Sequence, residues 1–208
     1  SVFPSMVVQR YRAGYENIRI LYCSHEPESR MSIATLKTAR LRLDSFAEVH
    51  LSKRYVSWLN GPEVVRYSEQ RYRQHSMETC QQYVRAMADA ENPLWAITAV
   101  DRASGHVGNI SESLDRNNQL CDVAILIGER SAWGHGLGTE AWIAVCNFML
   151  GPMGMRKVTG GTMENNKAMV RIMERADMVP DGRRLAHYLI KDEAVNLVYF
   201  ASFPPKDK

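Results

Sequence analysis

The residues best suited to chemistry in this sequence are three alternating glycines, Gly134, Gly136 and Gly138. They follow an apolar run of strand length, residues 122–127, and precede apolar residues within 142–150 that recur at the spacing of one helix face. Glycine permits positive φ and lets another molecule approach the backbone closely. The start of a helix adds unpaired N–H groups and the positive end of the helix dipole. The segment therefore predicts an anion site, of the kind that most often holds phosphate.

Two common phosphate-binding motifs do not fit these glycines. A P-loop requires Lys and then Ser or Thr after its last glycine, but no lysine lies between Gly134 and Glu140. In a dinucleotide-binding fingerprint the third glycine would stand where this sequence has Thr139. An ordinary glycine-rich turn that caps a buried helix remains the alternative.

Composition restricts the class of protein. The chain has 208 residues with 45% apolar and 24% charged residues, which suits one globular domain with a sizeable core. A net charge of +3 is too small to predict nucleic-acid binding by itself. The four cysteines are scattered without a Cys-x-x-Cys pair, so we expect a reduced, cytoplasmic protein with no metal site. No apolar run reaches membrane-spanning length, and we expect no membrane association.

The elements that must position the glycine loop follow from changes in hydrophobic period. Strands are predicted at residues 94–100, 106–114 and 120–127, joined by short turns, so an antiparallel meander leads into the loop. A helix over 139–150 and a strand over 156–163 then make one parallel crossover.

The remaining pattern predicts a single domain over residues 31–208. Residues 1–30 lack a clear period and are interpreted as an N-terminal extension. A final hairpin could extend the sheet between two subunits, so a homodimer is compatible with the sequence, although no residue pattern demands it. The other expected elements are a half-buried strand around Leu41, a helix over 51–59, a short helix starting at Pro62, helices capped by Ser76 and by Asn165–Asn166, and strands at 187–190 and 194–200.

Three segments, in this order, resemble motifs of the GCN5-related N-acetyltransferase (GNAT) superfamily. Thr38–Leu43 is similar to its Thr-Glu-Arg-Leu-x-Leu strand, and Trp133–Ala141 to its Trp-Gly-x-Gly-x-Gly/Ala-Thr-Glu-Ala loop. Asn166–Arg175 is similar to its Asn-x-x-Ser-x-Arg-x-x-Glu-Lys helix. The similarity covers roughly residues 36–200 and is greatest for the branch that includes the ribosomal-protein N-terminal acetyltransferases.

The resemblance implies a fold and a reaction. The fold would be α/β (α+β), with a mixed, mostly antiparallel central sheet, helices on both faces and one βαβ crossover that carries the pyrophosphate loop. The reaction would be acetyl transfer from acetyl-CoA directly to a primary amine, without an acyl-enzyme, so that proximity and orientation supply most of the acceleration.

The resemblance also implies where acetyl-CoA binds. Backbone groups at the end of the third meander strand would pair with the pantetheine arm, and N–H groups of residues 135–139 would hold the pyrophosphate. Asn166 would touch the pantetheine or shape its channel. The complete set of expected cofactor-binding residues is Ile127, Gly128, Trp133, Gly134, His135, Gly136, Leu137, Gly138, Thr139 and Asn166.

The general base is not identified by a motif. Only a neutral amine attacks, and an α-amine of pKa ~8 is about one-tenth neutral at pH 7, whereas a lysine of pKa ~10.4 is less than about one part in a thousand neutral. The candidate bases are Glu112 and Asp122 on two neighbouring strands. The tyrosine that many family members use as general acid would fall at Met173, which cannot donate a proton.

The acceptor is predicted only as a class. It would be an amino sugar or similar small-molecule amine, or a protein N-terminus. Residues 67–73 are the expected acceptor-side loop, and Arg66, Arg71 and Arg73 favour an acceptor that carries carboxylate or phosphate. A non-catalytic acyl-CoA-binding module of the same fold remains the alternative, and no nucleic-acid partner is expected.

Overall fold

A computed structural model describes residues 7–9, 20–22, 34–100 and 105–205. Two short strands, β1 (Val7–Gln9) and β2 (Ile20–Tyr22), pair with each other in an antiparallel sheet of their own. The expected boundary between an extension and a domain, at residues 30 and 31, lies outside the described residues. None of the helices in the described part of the chain combines the length and apolarity that crossing a bilayer requires.

The central sheet has eight strands in the order β3-β4-β5-β6-β7-β8-β10-β9. Among these described strands only β7 and β8 are parallel neighbours, and every other pair is antiparallel. The expected mixed, mostly antiparallel sheet with a meander and one crossover is therefore confirmed. The strands are β3 (Leu36–Lys37), β4 (Leu41–Ser45), β5 (Leu94–Ala99), β6 (His106–Asp115), β7 (Leu120–Ile127), β8 (Lys157–Met163), β9 (Val179–Ile190) and β10 (Glu193–Ser202).

Helices cover both faces of the sheet, as expected. On one face α1 (Lys53–Leu59) and α2 (Met77–Asp89), each capped by a serine side chain, pack over the apolar side of β5. On the other face α3 (Leu137–Leu150) and α4 (Lys167–Arg175) cover a larger core. The ring of Trp95 on β5 meets that of Phe148 on α3 with a centroid distance of 5.8 Å.

The register between β6 and β7 decides which side chains reach each face. Glu112 lies opposite Val123, and Ser113 lies opposite Asp122. Val123 belongs to the core beneath α3. Because successive residues of a strand point to opposite faces, Glu112 shares the α3 face with Val123, and Asp122 lies on the α1–α2 face.

Some of the expected elements differ from the structure. Helix α3 begins at Leu137 rather than residue 139, because Gly136 already occupies the N-cap position. No helix starts at Pro62; instead Val64 and Val65 both donate to the carbonyl of Gly61 and the chain continues in turns. Strand β9 begins at Val179 rather than residue 187, because it pairs with β10 along its length through two irregularities in register.

Candidate active site

The parallel strands β7 and β8 separate and leave a cleft in the sheet. Their described pairing runs from Leu120 opposite Lys157 to Asp122 opposite Thr159 and stops there. Strand β7 continues for residues 123–127, paired only to β6 on its other side. Five residues of strand span roughly 17 Å, so the cleft extends that far from its closed end at Asp122 to its open end at Ile127.

The glycine loop lies at the open end of this cleft. Gly134 and Gly136 both have φ of 77°, which confirms that the turn needs a conformation that other residues rarely adopt. Among the described side chains none caps α3, so the N–H groups of its first turn are not satisfied by a side chain. Residues 133–135 are exposed. An uncapped helix start beneath an exposed glycine turn can bind an anion through backbone N–H groups.

Gly138 has a different role from the two turn glycines. A Cβ at this position would lie 3.2 Å from Cδ1 of Ile172 on α4 and 3.5 Å from Cγ1 of Ile127. The absence of a side chain therefore lets the first turn of α3 approach α4 closely, whereas the distance to Ile127 is that of an ordinary contact.

Two tryptophans contact the end of β7. The indole N–H of Trp133 donates to the carbonyl of Ile127 at 2.7 Å, and its side chain remains 40% exposed. The ring of Trp58 on α1 lies against Gly128, where a Cβ would be only 2.1 Å from Trp58 Cδ2. The backbone at Ile127 and Gly128, which is expected to receive pantetheine, therefore lies between Trp58 of α1 and Trp133 of the glycine loop.

Asp122 lies at the closed end of the cleft and is exposed to solvent. Its Oδ1 accepts a hydrogen bond from Oγ1 of Thr159 on β8 at 2.7 Å. Desolvation by the surrounding protein raises the pKa of this carboxyl group, and the hydrogen bond from Thr159 partly offsets the rise. An accessible carboxylate with a raised pKa is chemically suited to accept a proton from an amine.

Glu112 is in a different environment. Its side chain is 1% exposed, and neither carboxylate oxygen has a hydrogen-bond partner among the described residues. It lies on the α3 face, where the buried Cys121 and Cys146 contribute to the same core. Burial raises the pKa of Glu112 well above its ordinary value. The structure therefore does not bring the two candidate bases together, because they lie on opposite faces of the sheet.

Asn166 caps α4 and connects it to β8. Its Oδ1 accepts from the N–H of Met169 at 3.3 Å, and its Nδ2 donates to Oγ1 of Thr162 at 3.0 Å. Met173, at the position of the family tyrosine, is fully buried, and its sulfur lies close to Gly160. Asn166 thus joins α4 to β8, whereas Met173 belongs to the core beneath α3.

The expected acceptor-side loop, residues 67–73, reaches the final hairpin. The hydroxyl of Tyr72 donates to the carbonyl of Leu189 at 3.1 Å, and Nη2 of Arg71 donates to the same oxygen at 3.3 Å. The guanidinium of Arg71 also stacks on the Tyr72 ring at 4.2 Å. The loop therefore connects the α1–α2 side to β9, and it lies on the side where Asp122 is accessible.

Tyr199 on β10 lies next to β8, a position for which the sequence carries no signal. It pairs with Gly161 of β8, and a Cβ on Gly161 would lie 2.8 Å from Tyr199 Cε1. The guanidinium of Arg184 on β9 lies over the Tyr199 ring at 5.4 Å. Gly161 and Thr159 share one face of β8, so Tyr199 lies on the same face as Asp122. Only the register of β8 with β10 places the tyrosine there.

Comparison with known proteins identifies a family for this chain. The sequence matches the family model described as an acetyltransferase (GNAT) domain over residues 40–179. None of the curated proteins compared with the sequence matches it.

Similar solved structures include a GNAT-family acetyltransferase from Bacillus anthracis, with a TM-score of 0.69 at 16% identity, covering 81% of this chain and 98% of that one. Spermidine N-acetyltransferase from Vibrio cholerae, in complex with CoA and spermine, has a TM-score of 0.71 at 12% identity, with coverage of 81% and 98%. RimL, a ribosomal L7/L12 alpha-N-protein acetyltransferase in complex with CoA, has a TM-score of 0.69 at 13% identity, with coverage of 81% and 97%. At these identities the likeness shows the fold alone.

Proposed function

Because this chain belongs to the GNAT acetyltransferase family, we propose that it transfers the acetyl group of acetyl-CoA to a primary amine. The observation that carries the proposal is the cleft between β7 and β8, which opens beyond Asp122 and ends at the uncapped start of α3. An anion site and a reaction site lie at the two ends of such a cleft. The length of the free strand edge, roughly 17 Å, suits an extended chain such as pantetheine.

The residues present fit acetyl-CoA in three respects. The N–H groups of residues 135–139 would hold the pyrophosphate, since the positive φ of Gly134 and Gly136 turns the loop around the helix start. Backbone groups near Ile127 and Gly128 would pair with the pantetheine arm. No described atom lies within 4 Å of a Cβ built on Gly134, so the loop leaves room for a ligand. The bound acetyl-CoA supplies an activated thioester.

Within this site we assign the role of general base to Asp122. It is accessible, its pKa is raised by desolvation, and it lies at the closed end of the cleft. As the amine nitrogen forms its bond to the acetyl carbon, the carbon–sulfur bond breaks and the proton lost from nitrogen passes to Asp122, directly or through water. Glu112 is the poorer candidate because its 1% exposed carboxyl group faces the core beneath α3.

Protonation of the leaving thiolate does not require Met173. A thiol has a pKa near ~8.5, so the thiolate is a good leaving group that takes its proton from water. The buried Met173 cannot serve as the family's general acid, and it belongs to the core beneath α3.

The charges around the acceptor side favour an anionic amine. The loop's acidic residue, Glu69, already pairs with Arg71 at 3.0 Å, so the remaining guanidinium groups are available to a carboxylate or phosphate. We therefore favour a small-molecule amine with an anionic group, such as a phosphorylated amino sugar, over the protein N-terminus expected from the ribosomal branch. Arg71 and Arg73 lie on the acceptor-side loop, and Arg66 directly precedes it. Arg184 lies on the hairpin that the loop contacts.

Two measurements test the proposal. Isothermal titration with acetyl-CoA should give binding, and release of free thiol should then be screened over phosphorylated amino sugars, neutral amino sugars, peptides with a free N-terminus, and polyamines. Binding without release for every amine would instead support a non-catalytic acyl-CoA-binding module. Absence of binding would refute the proposed function altogether.

The role of Asp122 is tested separately. We expect Asp122→Asn to bind acetyl-CoA with unchanged affinity and to lose kcat by about 100-fold or more, the usual contribution of a general base. Thr159→Ala keeps the carboxylate and removes the hydrogen bond that lowers its pKa, so the acid limb of the pH–rate profile should move to higher pH. Full turnover by Asp122→Asn would exclude Asp122 as the base.

A further inference from the structure

Arg40, in the first of the three sequence motifs, contacts the glycine loop and the first turn of α3 at once. Its Nε donates to Oε2 of Glu140 at 2.7 Å, and its Nη2 lies 2.6 Å from the same oxygen. Its Nη1 donates to the backbone carbonyl of His135 at 2.9 Å. One rigid guanidinium thus fixes the loop backbone relative to the helix that follows it.

The Glu140 carboxylate is held from a second direction as well. Its Oε1 accepts from the hydroxyl of Thr38 at 2.5 Å and from the backbone N–H of Arg40 at 3.0 Å. The Glu140 side chain is only 12% exposed, whereas that of Arg40 is 42% exposed. The carboxylate is therefore surrounded by donors, and the cation remains partly open to solvent beside the helix start.

These contacts have an electrostatic consequence at an anion site. Glu140 stands in the first turn of α3, where an uncompensated negative charge would repel a phosphate bound at the same N-terminus. The paired guanidinium offsets that charge. The guanidinium lies beside Gly136, since a Cβ built on this glycine would be at an ordinary contact distance of 3.6 Å from Nη2 of Arg40.

We propose that Arg40 is a positioning residue for the cofactor: it holds the His135–Gly136 turn and neutralises Glu140 so that the first N–H groups of α3 bind pyrophosphate. This inference rests on the proposed function, because it assigns a role within the same acetyl-CoA site. The Thr-x-Arg segment of the first motif would thus position the glycine loop of the second motif, which lies about one hundred residues later in the sequence.

The positioning role can be measured without any ligand. Arg40→Gln should accelerate amide hydrogen exchange in the first hydrogen-bonded turn of α3 by about tenfold or more in the free protein, because this turn opens locally once the loop loses its tether. That turn begins with the N–H of Glu140, which donates to the carbonyl of Gly136 at 3.1 Å. Arg42→Gln is the matched control: Arg42 lies two residues later, in β4, has a side chain that is 55% exposed and pairs with Asp44 rather than with the loop. Exchange within about twofold of the unmodified protein in both variants would overturn the inference.

Measurements of CoA binding test the positioning role of Arg40 separately from the proposed function. Titration with CoA should show Arg40→Gln binding about tenfold or more weakly and Arg42→Gln unchanged, while kcat at saturating acetyl-CoA stays within about twofold for both. Adding Glu140→Gln to Arg40→Gln should recover part of the affinity, because the uncovered charge is gone. Arg40→Lys, which keeps the charge but not the fork of donors, should fold and bind with intermediate affinity.

The outcomes are distinguishable. If the unmodified protein binds CoA and Arg40→Gln and Arg40→Lys bind it equally well, the positioning role is overturned and the proposed function stands. If the unmodified protein does not bind CoA, the proposed function falls and the inference falls with it.

Discussion

The substitution Glu112→Leu is expected to raise the free energy of unfolding, because it removes a buried carboxyl group that has no partner. The side chain is 1% exposed, and neither of its oxygens has a hydrogen-bond partner in the described part of the structure. Leucine is of similar size, and its neighbours in the core beneath α3 include Val123, Cys121 and Cys146. The exchange therefore replaces an unsatisfied polar group with apolar contacts.

The size of the effect follows from the cost of such a group. A buried polar group left without a hydrogen bond costs about 1–3 kcal/mol, and we expect a gain of that order near pH 4, where the carboxyl group is largely protonated in the folded and the unfolded chain alike. For a domain of this length, 1 kcal/mol shifts Tm by about 2–4 °C, so Tm should rise by about 2–12 °C.

The stability gained by Glu112→Leu should also depend on pH in a specific way. Burial raises the pKa of Glu112 well above its ordinary value of 4.5, so at higher pH the folded protein keeps a proton that the unfolded chain has released. Because the unfolded state then binds fewer protons, stability falls as pH rises above 4.5. Leucine lacks this dependence, so the advantage of Glu112→Leu should be smallest near pH 4 and should widen as the pH rises.

Urea denaturation followed by circular dichroism at several pH values measures the effect, and thiol release measures activity in the same samples. Glu112→Gln serves as the control that removes the titration but keeps an unpartnered polar group, so its gain at pH 7 should be smaller. A Glu112→Leu protein that unfolds more easily than the unmodified protein at pH 7 would refute the reasoning. A stable Glu112→Leu protein without turnover would identify Glu112, rather than Asp122, as the catalytic carboxylate.

Two further predictions concern the neighbourhood of Trp58. Gly128→Ala should destabilise the fold by about 1–3 kcal/mol and weaken acetyl-CoA binding, because its Cβ would lie 2.1 Å from the 5% exposed Trp58 ring; an unchanged urea midpoint would contradict this. Desolvation, and next the nearby His50, lower the pKa of His106 from 6.5 to about 4. The unfolded chain then takes up a proton that the folded protein does not, so stability should fall by about 2 kcal/mol between pH 7 and pH 5. His106→Gln should remove that part of the pH dependence, and an identical dependence in the variant would exclude His106 as its source.

Much of the architecture could be predicted because it depends on neighbours in sequence. Alternating and helical hydrophobic periods indicated the meander, the crossover and the helix capped by Asn166, and the turn glycines have the positive φ that their residue type suggested. The start of α3 was displaced by two residues because an N-cap glycine gives no side-chain signal for where a helix begins. The assignment of residues 135–139 to pyrophosphate stays a prediction.

Strand alternation predicts that Glu112 and its neighbours point to opposite faces, but not which face the helices bury. That is decided by the register that places Glu112 opposite Val123 and by α3, which closes over this face of the sheet. Glu112 and Asp122 were therefore equivalent candidate bases in the sequence, but in the structure the first is buried and the second is exposed.

The sequence by itself determined the local elements and the glycine turn, because these follow from residue spacing and backbone preferences over a few positions. Only the tertiary structure decided that Arg40 reaches Glu140, that Tyr199 lies against Gly161 and that residues 67–73 meet the hairpin at Leu189. Such contacts join residues from 38 to about 120 positions apart. They form only when packing brings separate elements together, and no local pattern records which partners will meet.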